Sequence, residues 1–141
     1  MTQTIENPMN LPTDMQTIFT KVAAHLRKQG KQSKSDDRPG EGSCMYRGGN
    51  GSMCAIGIFI PDEYYNVGME RSIGSLLHSY QYGPLFEVWD DTDMYRFLQA
   101  LQQTHDTGMN WSVMGFNQFG EDALREVAEM FGLVYTPGVD I

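Results

Sequence analysis

Cys44-Met45-Tyr46-Arg47-Gly48-Gly49-Asn50-Gly51-Ser52-Met53-Cys54-Ala55-Ile56-Gly57 is the stretch whose reading decides the fold. Two cysteines flank a glycine-rich turn. Gly-Gly-Asn-Gly supplies the positive φ angles that tight hairpin turns need. The run therefore predicts a β-hairpin over about residues 44–60, its second strand continuing as Ala55-Ile56-Gly57-Ile58-Phe59-Ile60. If Tyr46 faces Ser52, Cys44 faces Cys54 across the ladder. Two facing thiols can cross-link, share a metal or pack.

Outward from this stretch the chain reads as helices. Upstream, Met15, Ile18, Phe19, Val22 and Leu26 recur at helical spacing behind Pro12 and Asp14, and Gly30 supplies a stop. Downstream, Met69, Ile73, Leu76 and Leu77 mark a second helix, and Gly83-Pro84 breaks the chain. Asp90, Asp91 and Asp93 precede Met94, Phe97, Leu98 and Leu101, an acidic cap on a third helix ending near Gly108. Asn110–Phe116 reads as an aromatic connector. Asn117 caps a last helix that stops at Gly132, and Leu133-Val134-Tyr135 reads as a short strand. The expected architecture is α+β, a mostly helical single domain with one hairpin packed on helices. Residues 1–11 are expected as a flexible arm, 12–141 as the domain, and 31–43 as a mobile loop without a large apolar residue.

The chain has 141 residues, 40% of them hydrophobic, and a net charge of −8. One core of useful size is within reach. The acidity disfavours direct binding to nucleic acid and favours a partner with a basic surface. No run approaches the roughly 18 apolar residues of a membrane span. Met1–Asn10 carries neither the basic nor the apolar region of a signal peptide. A cytoplasmic location follows as the expectation, with both thiols reduced.

Several residues are candidates for chemistry. Structural zinc normally takes four ligands. The only histidines, His25, His78 and His105, fall on separate predicted helices, so neither a metal nor another cofactor is expected. Cys54 with His78 or His105 and Asp62 makes a nucleophile on paper, without an elbow or helix N-terminus to activate it. The thiols are read as small buried hydrophobes. Arg47, at the turn, suits a phosphate or carboxylate; the favoured reading is an internal ion pair with Asp62 or Glu63. Glu87, Asp90, Asp91 and Asp93 lack the glycine bend and distal glutamate of a calcium loop. They read as helix caps, or as a surface for a basic partner. Tyr80, Tyr82, Phe86, Trp89 and Tyr95 interleave with Leu85 and Val88 and read as core.

Three segments carry a family resemblance. These are Cys44-Met45-Tyr46-Arg47-Gly48 through Cys54-Ala55-Ile56-Gly57, Ile60-Pro61-Asp62-Glu63-Tyr64-Tyr65, and the pattern from Phe116-Asn117 to Leu133. Gln29-Gly30 with Gln32 and Ser33 fits the same pattern. The chain resembles a group of small uncharacterised proteins encoded by tailed bacteriophages and their prophages. Members often carry a third cysteine where Ile58 stands here. The resemblance implies phage origin and no assigned activity; it favours an accessory protein that binds and modulates or inhibits a host protein in the bacterial cytoplasm, without catalysis. The expected contact residues are Arg47, Asn50, Asp62, Tyr65, Glu87, Asp90, Asp91 and Asp93. The alternative is a small enzyme or ligand-binding domain with an anion site near Arg47 and Cys54 as nucleophile.

Overall fold

A computed structural model describes residues 6–35 and 44–137. It is a mostly helical α+β fold built from α1 (Met15–Gln29), α2 (Ile73–Leu77), α3 (Thr92–Asp106), β1 (Trp111–Ser112), β2 (Gly115–Phe116) and α4 (Gln118–Phe131). Short 3-10 turns at Gly49–Gly51, Gly57–Phe59, Val67–Met69, Gly83–Trp89 and Gly108–Asn110 connect them.

The helix ends fall where side-chain chemistry puts them. The Asp14 carboxylate accepts from the Thr17 N–H at 2.9 Å, and Gly30 closes α1 at φ 84°. Asn117 accepts from the Gly120 N–H, and Gly132 closes α4 at φ 69°. Each pairing satisfies backbone groups that a helix terminus leaves without an internal partner. α3 is the central strut. It packs on α1, α2 and α4 and buries Met94, Phe97, Leu98, Leu101, Thr104 and His105. The buried residues form one cluster that also takes in Ile18, Phe19, Val22 and Leu26 of α1 and Leu124 of α4.

The expected hairpin over 44–60 is corrected. Its only ladder contact is one bridge, Arg47 to Met53, and Cys44 pairs with Lys34 instead. Cys44 does not face Cys54; the Cys54 N–H donates to the Tyr46 carbonyl. The cause is burial. Cys54, Ala55 and Ile56 are all buried, so the run has no polar face to present to water and turns into the core as the 3-10 turn Gly57–Phe59. A half-buried Glu70 takes over from the missing strand. Its carboxylate accepts from the Tyr46 N–H (2.8 Å) and the Arg47 N–H (3.0 Å).

The regular hairpin lies at 111–116, in the segment expected as an aromatic connector. Trp111 pairs with Phe116 and Ser112 with Gly115. Gly115 sits at φ 112° against Gly30, a position closed to a side chain. The strand expected at Leu133–Tyr135 is absent. Val134 is bound instead by the Gln16 amide, which accepts its N–H at 2.8 Å and donates to its carbonyl at 3.1 Å.

Both expected mobile segments are partly tied down. Met9 and Leu11 are buried, and the Asn7 side chain brackets Leu11 with two hydrogen bonds. Ser33 is fully buried. Residues 1–5 and 36–43 of those segments lie outside the described residues.

Two predictions follow from this packing. A Cβ on Gly57 overlaps the Tyr46 carbonyl oxygen, a collision between backbones that cannot rotate away. Gly57→Ala is expected to cost about 2–4 kcal/mol in urea unfolding, against about 1 kcal/mol for Gly30→Ala. His25 donates to the Met53 carbonyl, and burial pulls its pKa below the ordinary 6.5, the Met53 bond opposing and His105 assisting. Above 6.5 both folded and unfolded chains hold it neutral. Below 6.5 the unfolded chain takes the proton first, so stability falls as pH falls. His25→Gln is expected to flatten that part of the stability–pH curve; an unchanged slope would assign it to other groups.

Candidate functional site

The residues singled out from the sequence separate into two groups. Arg47, Asp62 and Tyr65 come together. The Arg47 guanidinium pairs with Asp62 and donates to the Ile60 carbonyl at 2.6 Å. It lies over the Tyr65 ring, 4.8 Å from its centroid. The Tyr65 hydroxyl donates to Glu70 at 2.6 Å, the carboxylate that already holds Tyr46 and Arg47. The favoured internal ion pair is present, with Asp62 rather than Glu63 as partner. Arg47 thus faces its own loop, and Asp62 is the exposed member of the pair. Of Asn50 only the backbone is described, in the turn Gly49–Gly51.

Glu87, Asp90, Asp91 and Asp93 form the second group, on the approach to α3. Asp91 caps the helix, accepting from the Asp93 N–H at 3.1 Å. The four are exposed, and no hydrogen bond or ion pair among the described residues links them to the Arg47 group. Beside them runs an open groove of about 710 Å³, lined by Leu77, His78, Tyr80, Pro84, Glu87 and Asp90. Tyr80 corrects the aromatic reading. Tyr82, Phe86 and Trp89 are core, whereas Tyr80 is fully exposed. Chain spacing alone did not separate it from its neighbours, because Tyr80 and Tyr82 fall in a turn that has no fixed face.

A larger cleft of about 740 Å³ lies between Cys44–Tyr46, the Glu70–Gly74 segment and the α3 face bearing Gln99, Gln103 and Asp106. At its edge Cys44, His105 and Asp106 bring their ligand atoms within 4.8 Å of one another. Cys44 and Asp106 are 62 residues apart in the chain, so only tertiary folding shows the grouping. The hydrogen bonds decide what it does. The Ser33 N–H donates to His105 Nε2 at 2.8 Å. Nε2 therefore carries the lone pair, and the proton of the neutral ring sits on Nδ1, where it is donated to Asp106 at 2.8 Å. Nδ1 offers no lone pair to a metal in this arrangement. The trio is a tie between segments, and its donor set does not fit an ion without rupture of the Ser33 contact.

Neither thiol is activated. Burial pushes Cys44 up to about 11, with the Asp106 charge adding to it. Burial pushes Cys54 to about 12, partly offset by the N–H groups of Gly57 and Ile56. Nucleophilic cysteines need the opposite shift. Both are free and unbridged.

Among the described residues no helix is long and apolar enough to cross a membrane. No protein-family model, no curated protein and no solved structure matches the chain.

The thiol environments are directly measurable. In native protein at pH 8, Cys44 is expected to react with Ellman's reagent on the order of a hundredfold more slowly than free cysteine. Cys54 is expected to react only on unfolding. Rapid native labelling of either thiol would remove this assignment and restore a nucleophile.

Proposed function

We propose that the chain is a phage accessory protein that binds a host protein and modulates or inhibits it in the bacterial cytoplasm, without catalysing a reaction. The observation that carries this reading is Tyr80, a large ring fully exposed on a groove that Glu87 and Asp90 also line. Exposed aromatic surface set among charges is the chemistry of protein contacts. No lysine or arginine lines the groove beside those carboxylates, so the complementary partner surface is basic. Two further observations support binding over catalysis: both thiols have raised pKa values, and the Arg47 guanidinium is held within its own loop. The family resemblance supplies the phage setting.

Tagged protein is expected to capture one stoichiometric host protein from bacterial lysate. The Asp90→Asn/Asp91→Asn/Asp93→Asn variant keeps an asparagine cap on α3 and is expected to fold as the wild type does. It is expected to bind that partner at least about tenfold more weakly. A partner held equally by both proteins would move the contact off the acidic face. No partner in any lysate would reject the binding reading.

A further inference from the structure

The groove continues into a recess of about 100 Å³ that shares Leu77, His78 and Asp90 with it. Trp89, Asp91, Thr92 and Tyr95 complete the walls of the recess. Small-molecule pockets begin at about 300 Å³, so the recess is on the scale of a side-chain head group. Its chemistry is uneven. Asp90 and Asp91 bring carboxylates to the lining, and one oxygen of Asp91 is already occupied by the Asp93 N–H. Among the described residues the Asp90 carboxylate makes no hydrogen bond or ion pair, and no lysine or arginine lines the recess or the groove. The lining also carries rings: His78 and Tyr95, whose centres are 5.9 Å apart, and Trp89. Tyr80 stands exposed in the adjoining groove.

We propose that this recess is a socket for an arginine side chain from a basic segment of a partner protein, with the Tyr80 groove receiving the flanking residues of that segment. The proposal rests on the partner-binding reading above and specifies what the groove holds. Charge complementarity selects a cation. Shape then selects arginine over lysine. A guanidinium is planar, stacks on aromatic faces and bonds a carboxylate through two N–H groups, whereas an ammonium is a strongly hydrated point charge. Aromatic walls beside carboxylates provide for both contacts at once. An apolar segment would leave Asp90 and Asp91 desolvated without a counter-charge, which is costly. A phosphate-bearing ligand would meet like charge.

The test uses the full chain and three labelled peptides of one glycine- and serine-rich sequence, carrying arginine, lysine or citrulline at the centre. Citrulline keeps the shape of arginine and removes its charge. Fluorescence anisotropy is expected to show saturable binding of the arginine peptide at low salt. Citrulline is expected to weaken it by about tenfold or more, and lysine by several-fold. Asp90→Asn and Tyr80→Ala alter exposed side chains with no role in a helix cap, so both are expected to fold. Each is expected to weaken the arginine peptide several-fold. Equal binding of the citrulline peptide, indifference to Asp90→Asn, or no binding at millimolar peptide would each overturn the socket. The host-protein reading fails separately. Host capture that depends on the aspartates but not on Tyr80, with no arginine-peptide binding, removes the socket and keeps the partner. Arginine-peptide binding without any host capture keeps the socket and removes the host-protein assignment.

Discussion

His105 joins three segments of the fold through one side chain and one carbonyl. Its ring is fully buried in the last turn of α3. Nε2 accepts from the Ser33 N–H and Nδ1 donates to Asp106. Its carbonyl accepts from the Trp111 indole at 2.8 Å and from the Gln32 amide at 3.0 Å. One residue thus fixes the turn after α1, the end of α3 and the start of the hairpin. Each bond is worth only about 1 kcal/mol net, but a lost partner leaves a buried polar group without water, which costs more. The tie through Ser33 has further consequences. The Ser33 carbonyl accepts from Met45, and the neighbouring Lys34 carbonyl accepts from Gly49. The 44–53 loop is therefore hung on a turn that His105 holds in place.

This arrangement explains why the glycine-rich stretch is not a hairpin. Beyond the single Arg47–Met53 bridge, a longer ladder would need the Tyr46 N–H to bond across to the opposite segment. The Tyr46 and Arg47 N–H groups go to the Glu70 carboxylate, while Lys34 pairs with Cys44 from the other side. The loop is thus held by side-chain acceptors and single bridges. Arg47 completes it by reaching over Tyr65 to Asp62. The segment after α4 uses the same device. Gln16 brackets Val134, and Arg27 makes a bidentate pair with Glu121 while also donating to the Thr136 carbonyl. Extended segments flanking α1 are thus secured by side chains where a sheet would use backbone.

That division sets what the sequence could reveal. Helix termini were legible because their causes are local: Asp14, Asp91 and Asn117 cap the residues that follow them, and Gly30 and Gly132 adopt the left-handed conformation themselves. The mostly helical α+β class followed from those boundaries. The Glu70 and His105 contacts were not legible, because each joins residues far apart in the chain and leaves no periodic mark. The hairpin at 111–116 carried a weaker local signal. Gly115 sits at positive φ, and Ser112 accepts from the Met114 N–H at 3.1 Å across the turn. The candidate acidic residues were identifiable from composition. Their company was not, since the exposure of Tyr80 depends on how the 79–84 turn leaves α2.

The distribution of charge then decides what the acidic face does. Glu121, Asp62 and Asp122 are answered inside the molecule by Arg27, Arg47 and Arg125. Glu87, Asp90 and Asp93 form no ion pair among the described residues. Unpaired carboxylates thus stand beside a groove that carries an exposed ring, Tyr80. In open water such charges attract a cation by about 1 kcal/mol each at contact distance, and salt weakens even that. They accelerate encounter more than they hold a complex. Retention needs surface that sheds water on contact. In the proposed socket Tyr80 and the aromatic residues beside Asp90 would provide it, since a stacked guanidinium keeps its hydrogen bonds to carboxylate while the rings are covered. In the proposed complex, steering and retention would fall on adjacent parts of one surface, and removing the ring would leave steering without retention.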